Sequence, residues 1–122
     1  VKRRLELQPE MKNVLALDNP QEYRCRVVGY LLDRSLLVIE LTGKPKPFYV
    51  IFPDVHYYEG TFLWQGASLR TASREEQFDY MLKQSIVTAL GMLYVFDGVD
   101  CTVNLFSGDW IATFDDLPNR FK

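Results

Sequence analysis

The chain is poor in the residues from which most recognisable catalytic and structural sites are built. It has one histidine, His56, and two cysteines, Cys25 and Cys101. The cysteines lack C-x-x-C spacing and are too few for a structural zinc site by themselves. Both lie in apolar alternating contexts, where a free thiol behaves as a small hydrophobe, so two buried reduced thiols are expected. A disulfide between them is the alternative and would imply an oxidising compartment. With one histidine, a metal site would need several carboxylates converging from distant segments, so no metal and no cofactor are expected. There is no P-loop, dinucleotide-binding glycine fingerprint, G-x-S-x-G or H-E-x-x-H motif.

Charge of one sign is also missing. Fourteen basic and sixteen acidic residues leave a formal net charge of −2. Broad, sequence-independent binding to nucleic acid needs a clustered basic field, so nucleic acid is not an expected partner. The one local basic cluster, Lys2-Arg3-Arg4, reads as a solvated tail, with a weak phosphate or anionic-lipid contact as the functional alternative. No apolar run approaches the length of a membrane span. The start, VKRRLELQPEMKN, has no apolar stretch behind its basic cluster, so no signal peptide is expected and the expected location is cytoplasmic.

What the chain does have is ring surface. Aromatics make up 14% of it, against an ordinary 48% hydrophobic and 25% charged content. The richest stretch is FYVIFPDVHYYEGTFLW, from Phe48 to Trp64. So much ring surface must be buried in a core, stacked on a ligand or presented to a partner. At 122 residues the chain is expected to be a single domain over 1–122, large enough to fold without a metal or disulfide staple.

Tyr23 to Val28 alternates Tyr23, Cys25 and Val27 against Arg24 and Arg26, the period of a strand, and Gly29 marks a candidate bulge. Asp33-Arg34 reads as a turn. Leu36 to Leu41 is apolar enough for a central strand. Phe48 to Phe52 is a third strand, closed by Pro53, which cannot donate to a ladder. Extended pattern resumes at Val55 to Tyr58 and at Thr61 to Trp64, with Gly66 to Arg70 as its continuation. The connections are too short for parallel crossovers, which predicts an antiparallel meander.

Ser73 with Glu76 three residues on is a capping box, and it predicts a helix from Arg74 to about Leu90. Phe78, Met81, Leu82, Ile86, Ala89, Leu90 and Leu93 recur at spacings of three and four and would form its buried stripe. Cys101 to Phe106 and Trp110 to Phe114 are expected to pair as a hairpin around Ser107-Gly108-Asp109. The expected fold class is therefore α+β: an antiparallel sheet of about five or six strands, with one main helix packed on one face. Residues before Glu22 and after Asp115 are less legible: a short strand and a helical turn after Pro9 at one end, a frayed segment at the other.

Three sets of residues are candidates for function. Asp54 and His56 share a face if the strand is regular, so a carboxylate could orient an imidazole base; a structural histidine is the alternative. Tyr57, Tyr58 and Trp64 are amphipathic rings suited to an interface or groove, or else they pack the sheet against Phe78, Met81 and Leu82. Arg24, Arg26 and Arg70 would form an anion-binding patch if their strands were adjacent; the alternative is exposed pairing with Glu22, Glu40 or Glu59. The residues point first to a non-catalytic protein-interaction or self-associating module, using an aromatic-rich sheet face or edge to hold a protein partner or a second copy of itself, possible homodimer included. The alternative is a small-ligand-binding protein or enzyme with a sheet–helix pocket anchored by Asp54, His56 and Tyr58. A stacking platform flanked by Arg24, Arg26, Lys44 and Lys46 ranks third.

Overall fold

The computed structural model describes residues 14–43, 46–87, 90–117 and 119. The strand expected near the start, Lys44, Ala89 and half of the tail lie outside these residues; of the helical turn expected after Pro9 the described part is a short 3-10 turn, Val14–Ala16.

The alternation from Tyr23 onward gives strand β1, Arg24–Leu31. The apolar run after the Asp33-Arg34 turn gives β2, Leu36–Thr42, and FYVIF gives β3, Phe48–Phe52. The three form the expected antiparallel meander, with Arg26 opposite Glu40 and Glu40 opposite Tyr49. The register slips between Val27 and Gly29, the bulge that Gly29 led us to expect. β2 is central, which is why Leu37, Val38, Ile39 and Leu41 are all buried.

Beyond Pro53 the chain departs from a simple meander. β4 (Tyr57–Glu59), β5 (Leu63–Gln65) and β6 (Ser68–Thr71) are short. β5 joins the edge of the first sheet beside β1, whereas β4 and β6 are the two outer strands of a second sheet. The stretch from Gly66 to Arg70 is therefore a separate strand and not a continuation of β5. The chain passes from one edge of the second sheet to the other while laying β5 on the first. The second sheet is completed by β7 (Met92–Asp97) and β8 (Thr102–Ser107). The last strand, β9 (Ala112–Phe114), returns to the first sheet beside β3. The expected β8–β9 hairpin is corrected accordingly: the Gly108 turn does not fold back on itself but carries the chain across the sandwich.

The class is α+β with antiparallel sheets and one main helix. The strands divide into a five-stranded sheet, β5-β1-β2-β3-β9, and a four-stranded sheet, β4-β8-β7-β6. The main core lies between them. Cys25, Ile39, Leu41, Phe48, Val50, Phe52 and Trp64 come from one sheet, and Leu69, Tyr94, Phe96, Val103 and Leu105 from the other. Trp64 meets Phe96 edge-on at 5.1 Å, and Phe52 meets both Tyr94 and Phe96. Each fully buried large side chain stabilises the fold by roughly 1.5–3 kcal/mol relative to exposure.

The helix α1 spans Arg74–Gln84 and starts at the expected capping box. It ends six residues before Leu90. Ser85 turns left-handed (φ 56°), its N–H bonds the carbonyl of Leu82, and the N–H of Ile86 reaches back to Met81. This closes the helix in the manner usually built on glycine, so the stop carries no strong sequence mark. The apolar stripe is also corrected. Tyr80, Met81 and Ile86 pack on Leu93, Val95 and Phe106 of the four-stranded sheet, whereas Phe78 and Leu82 are 61% and 65% exposed. Leu93 belongs to β7. Periodicity favoured the apolar residues, but the face that packs on the sheet carries the amphipathic Tyr80. Among the described residues, no helix is long and apolar enough to cross a membrane.

Candidate functional site

Most of the aromatic stretch serves packing. Trp64 is buried, and its indole N–H donates to the carbonyl of Gly66 at 2.9 Å. Tyr57 lies under the helix and donates to Gln84 Oε1 at 2.8 Å. Tyr58 is half-buried, stacks on Phe62 and donates to the Thr61 carbonyl. Burial, together with the neighbouring Cys101 and Cys25 thiols, holds its phenol above the ordinary range. Tyr57 and Tyr58 point to opposite faces of the four-stranded sheet, as neighbours on a strand must.

The three arginines are not brought together. Arg24 and Arg26 lie on the outer face of the five-stranded sheet, where Arg26 pairs with Glu40 at 2.9 Å. Arg70 lies on the outer face of the other sheet and grips Glu76 and Asp97 at 2.9 and 2.8 Å. Those hydrogen bonds raise its pKa further and hold the Glu76 carboxyl below the usual carboxylate range. A groove of about 350 Å³ runs between α1 and the sheet at this point. Several of its polar groups are engaged: besides the Arg70 pairs, Tyr80 and Asn104 both donate to Glu59 Oε1, at 2.7 and 3.3 Å.

Asp54 and His56 are brought together, though not on a regular strand. Pro53 ends β3, and Asp54 turns left-handed (φ 49°). Both residues line a cleft of about 470 Å³ at one end of the sandwich. Four connections meet there. The β1–β2 turn contributes Ser35, the β3–β4 corner contributes Asp54 and His56, the segment before β7 contributes Leu90 and Gly91, and the β8–β9 turn contributes Gly108, Asp109 and Trp110. Backbone hydrogen bonds tie three of these elements to one another. Val55 N–H donates to Ser35 at 2.9 Å, Gly108 N–H to Pro53 at 2.7 Å, and His56 N–H to Phe106 at 2.8 Å. The cleft floor is thus fixed by main-chain bonds, which carry no sequence signature.

Ser35 and Asp54 are two of four non-glycine residues with positive φ among the described residues. Such backbone costs of order 1–3 kcal/mol and persists only where its surroundings hold it. The His56 ring lies 6.2 Å from Phe106, tilted by 56°. No hydrogen bond joins the side chains of Ser35, Asp54 and His56 among the described residues, so they do not stand as an assembled nucleophile–base relay. Tyr58 is not in this cleft; its hydroxyl is used at Thr61. Ser35, Leu90, Gly91 and Trp110 were not site candidates from sequence, and Gly108-Asp109 reads there only as an ordinary turn. Each belongs to an ordinary turn or loop, and only a Trp directly after a Gly-Asp turn, in Gly108-Asp109-Trp110, offered a local hint.

A scan against protein-family models, a search of curated proteins and a search of solved structures each found no match to this chain.

Proposed function

We propose that this protein is a small-ligand-binding module whose binding site is the cleft around His56. The observation that carries the reading is the convergence of four chain connections on one cavity holding the sole histidine, two carboxylates, a hydroxyl and an indole. Binding residues are commonly placed on loops at one end of a rigid β-scaffold. A largely apolar pocket with a few convergent polar groups is the usual form of a small-molecule site. Binding is favoured over catalysis because, among the described residues, no hydrogen bond joins the side chains of Ser35, Asp54 and His56.

The test is a fragment screen followed by amide and indole NMR signals. Binding should shift resonances of Ser35, Asp54, His56, Gly91, Gly108 and Trp110 together, and His56→Ala or Trp110→Ala should weaken it. Shifts centred on another part of the surface would sink the reading.

A second reading, self-association, has one observation of its own. β5 is an outer strand of its sheet, and Phe62 just before it and Leu63 at its start are 68% and 47% exposed. Open strand edges with apolar neighbours invite pairing. Sedimentation of the native protein and of Phe62→Glu decides it: a dimer abolished by the substitution supports this reading, and a monomer at all concentrations ends it.

A further inference from the structure

We propose that the His56 cleft selects a cationic amine carrying a compact apolar group; this rests on the ligand-binding reading above and names the ligand class. The polar end of the cleft is acidic. Among the described residues its lining includes Asp54 and Asp109 and neither lysine nor arginine. Asp54 is the residue that carries the argument. Among the described residues, no hydrogen bond or ion pair engages its carboxylate, whereas Glu40, Glu76 and Asp97 elsewhere on the molecule are each paired with an arginine. The backbone at Asp54 is left-handed, and the turn at Gly108 closes against it: a side chain added at Gly108 would come within 3.5 Å of Asp54 Oδ2 and 3.2 Å of Pro53. The Asp54 carboxylate is solvent-exposed and lies beside the Gly108 turn, at the mouth of the cleft.

The rest of the lining suits the body of such a ligand. Leu90, which is 80% exposed, supplies an apolar wall. Trp110 is half-buried and supplies an indole, the ring whose face attracts cations most strongly. A carboxylate and an indole in one concavity recognise an ammonium by charge and by the ring quadrupole, while the wall takes up the hydrocarbon. An anionic ligand would meet the Asp54 carboxylate and, among the described lining residues, no lysine or arginine. A neutral ligand would forgo the Coulomb term, which is larger in a partly enclosed cleft than in bulk water.

Three probes of one shape separate the possibilities: benzylamine, benzyl alcohol and benzoate, titrated at low ionic strength into the wild-type protein and Asp54→Asn while the Trp110 indole signal is followed. Asparagine also tolerates left-handed backbone, so this variant keeps the corner; an unchanged melting temperature and amide spectrum checks that. Benzylamine should bind most tightly, should lose roughly threefold to fivefold in affinity in Asp54→Asn, and should weaken with added salt. If benzyl alcohol or benzoate binds at the cleft as well as benzylamine does, or if Asp54→Asn leaves benzylamine affinity unchanged, the cationic preference is overturned while the cleft remains a ligand site. If none of the three moves a cleft resonance and a broad fragment screen finds nothing there either, the cleft reading falls with it.

Discussion

The backbone N–H of Val55 donates to the carbonyl of Ser35 across 2.9 Å. That bond holds the corner bearing Asp54 and His56 against the β1–β2 turn, twenty residues earlier in the chain. It also requires Ser35 to keep its left-handed conformation (φ 51°).

Ser35→Gly and Ser35→Val should therefore separate. Glycine adopts positive φ freely, whereas a β-branched residue there is strongly disfavoured. Ser35→Val should cost about 1–2 kcal/mol, and Ser35→Gly should be neutral or slightly stabilising. Urea denaturation of the two variants measures the difference. Equal midpoints would mean that the turn relaxes without cost.

Gly91 is a stricter case. Its φ is +136°, and a methyl group there would overlap the Phe106 ring beneath α1. Gly91→Ala should lose roughly 1–3 kcal/mol, from strained backbone and overpacking together. A thermal midpoint matching wild type would contradict this geometry.

Tyr57 ties the four-stranded sheet to the last turn of α1 through its 2.8 Å bond to Gln84. Tyr57→Phe keeps the ring packed edge-on against Tyr80 and removes only the hydroxyl. It should cost about 0.5–1.5 kcal/mol. A double-mutant cycle with Gln84→Ala should return a coupling energy of that order, and additive effects would show that the bond contributes nothing.

Acid should act partly through Glu76. Hydrogen bonding from Arg70 is the main cause that holds its carboxyl below the ordinary 4.5, with the Ser73 N–H helping. Its contribution is present above the unfolded-state value and is lost as pH falls through the depressed folded-state value. The pair is exposed, with side chains 45% and 43% accessible, so the effect is small. Arg70→Gln should flatten the stability profile below about pH 4.5; an unchanged acid limb would assign that limb to other carboxyls.

Cys25 and Cys101 are free thiols that should differ in reactivity. Burial, aided by the charge of the Cys101 thiolate, pushes the Cys25 thiol up to about 12. Its neutral form favours the fold below the ordinary value of 9.0, and that contribution fades as pH rises from there through about 12. Under native conditions at pH 8, iodoacetamide should modify half-buried Cys101 first and leave Cys25 intact; urea should expose both. Intact-mass spectrometry reads the count, and rapid double labelling without denaturant would contradict the burial of Cys25.

By itself the sequence determined the pieces whose signals are local. Period-two alternation placed Cys25 inward and Arg24 and Arg26 outward. An apolar run interrupted only by Glu40 marked β2 as central, and Ser73 with Glu76 marked the helix start. Each follows from backbone geometry acting within a few residues. The helix end at Ser85 was less legible, because serine in a left-handed cap looks like any other serine. β7 was missed, because Leu93 fitted the helical apolar spacing and no strand was expected directly after Leu90. Tertiary structure alone decided that β5 and β9 join one sheet while β4, β6 and β8 join the other. Short loops allow pairing within a sheet or passage across a sandwich, and the choice is made by which hydrophobic faces can be buried together. The candidate site belongs to the same category. Ser35, His56, Gly91 and Trp110 sit in separate turns, each unremarkable by itself, and long-range strand pairing brings those turns to one end of the molecule.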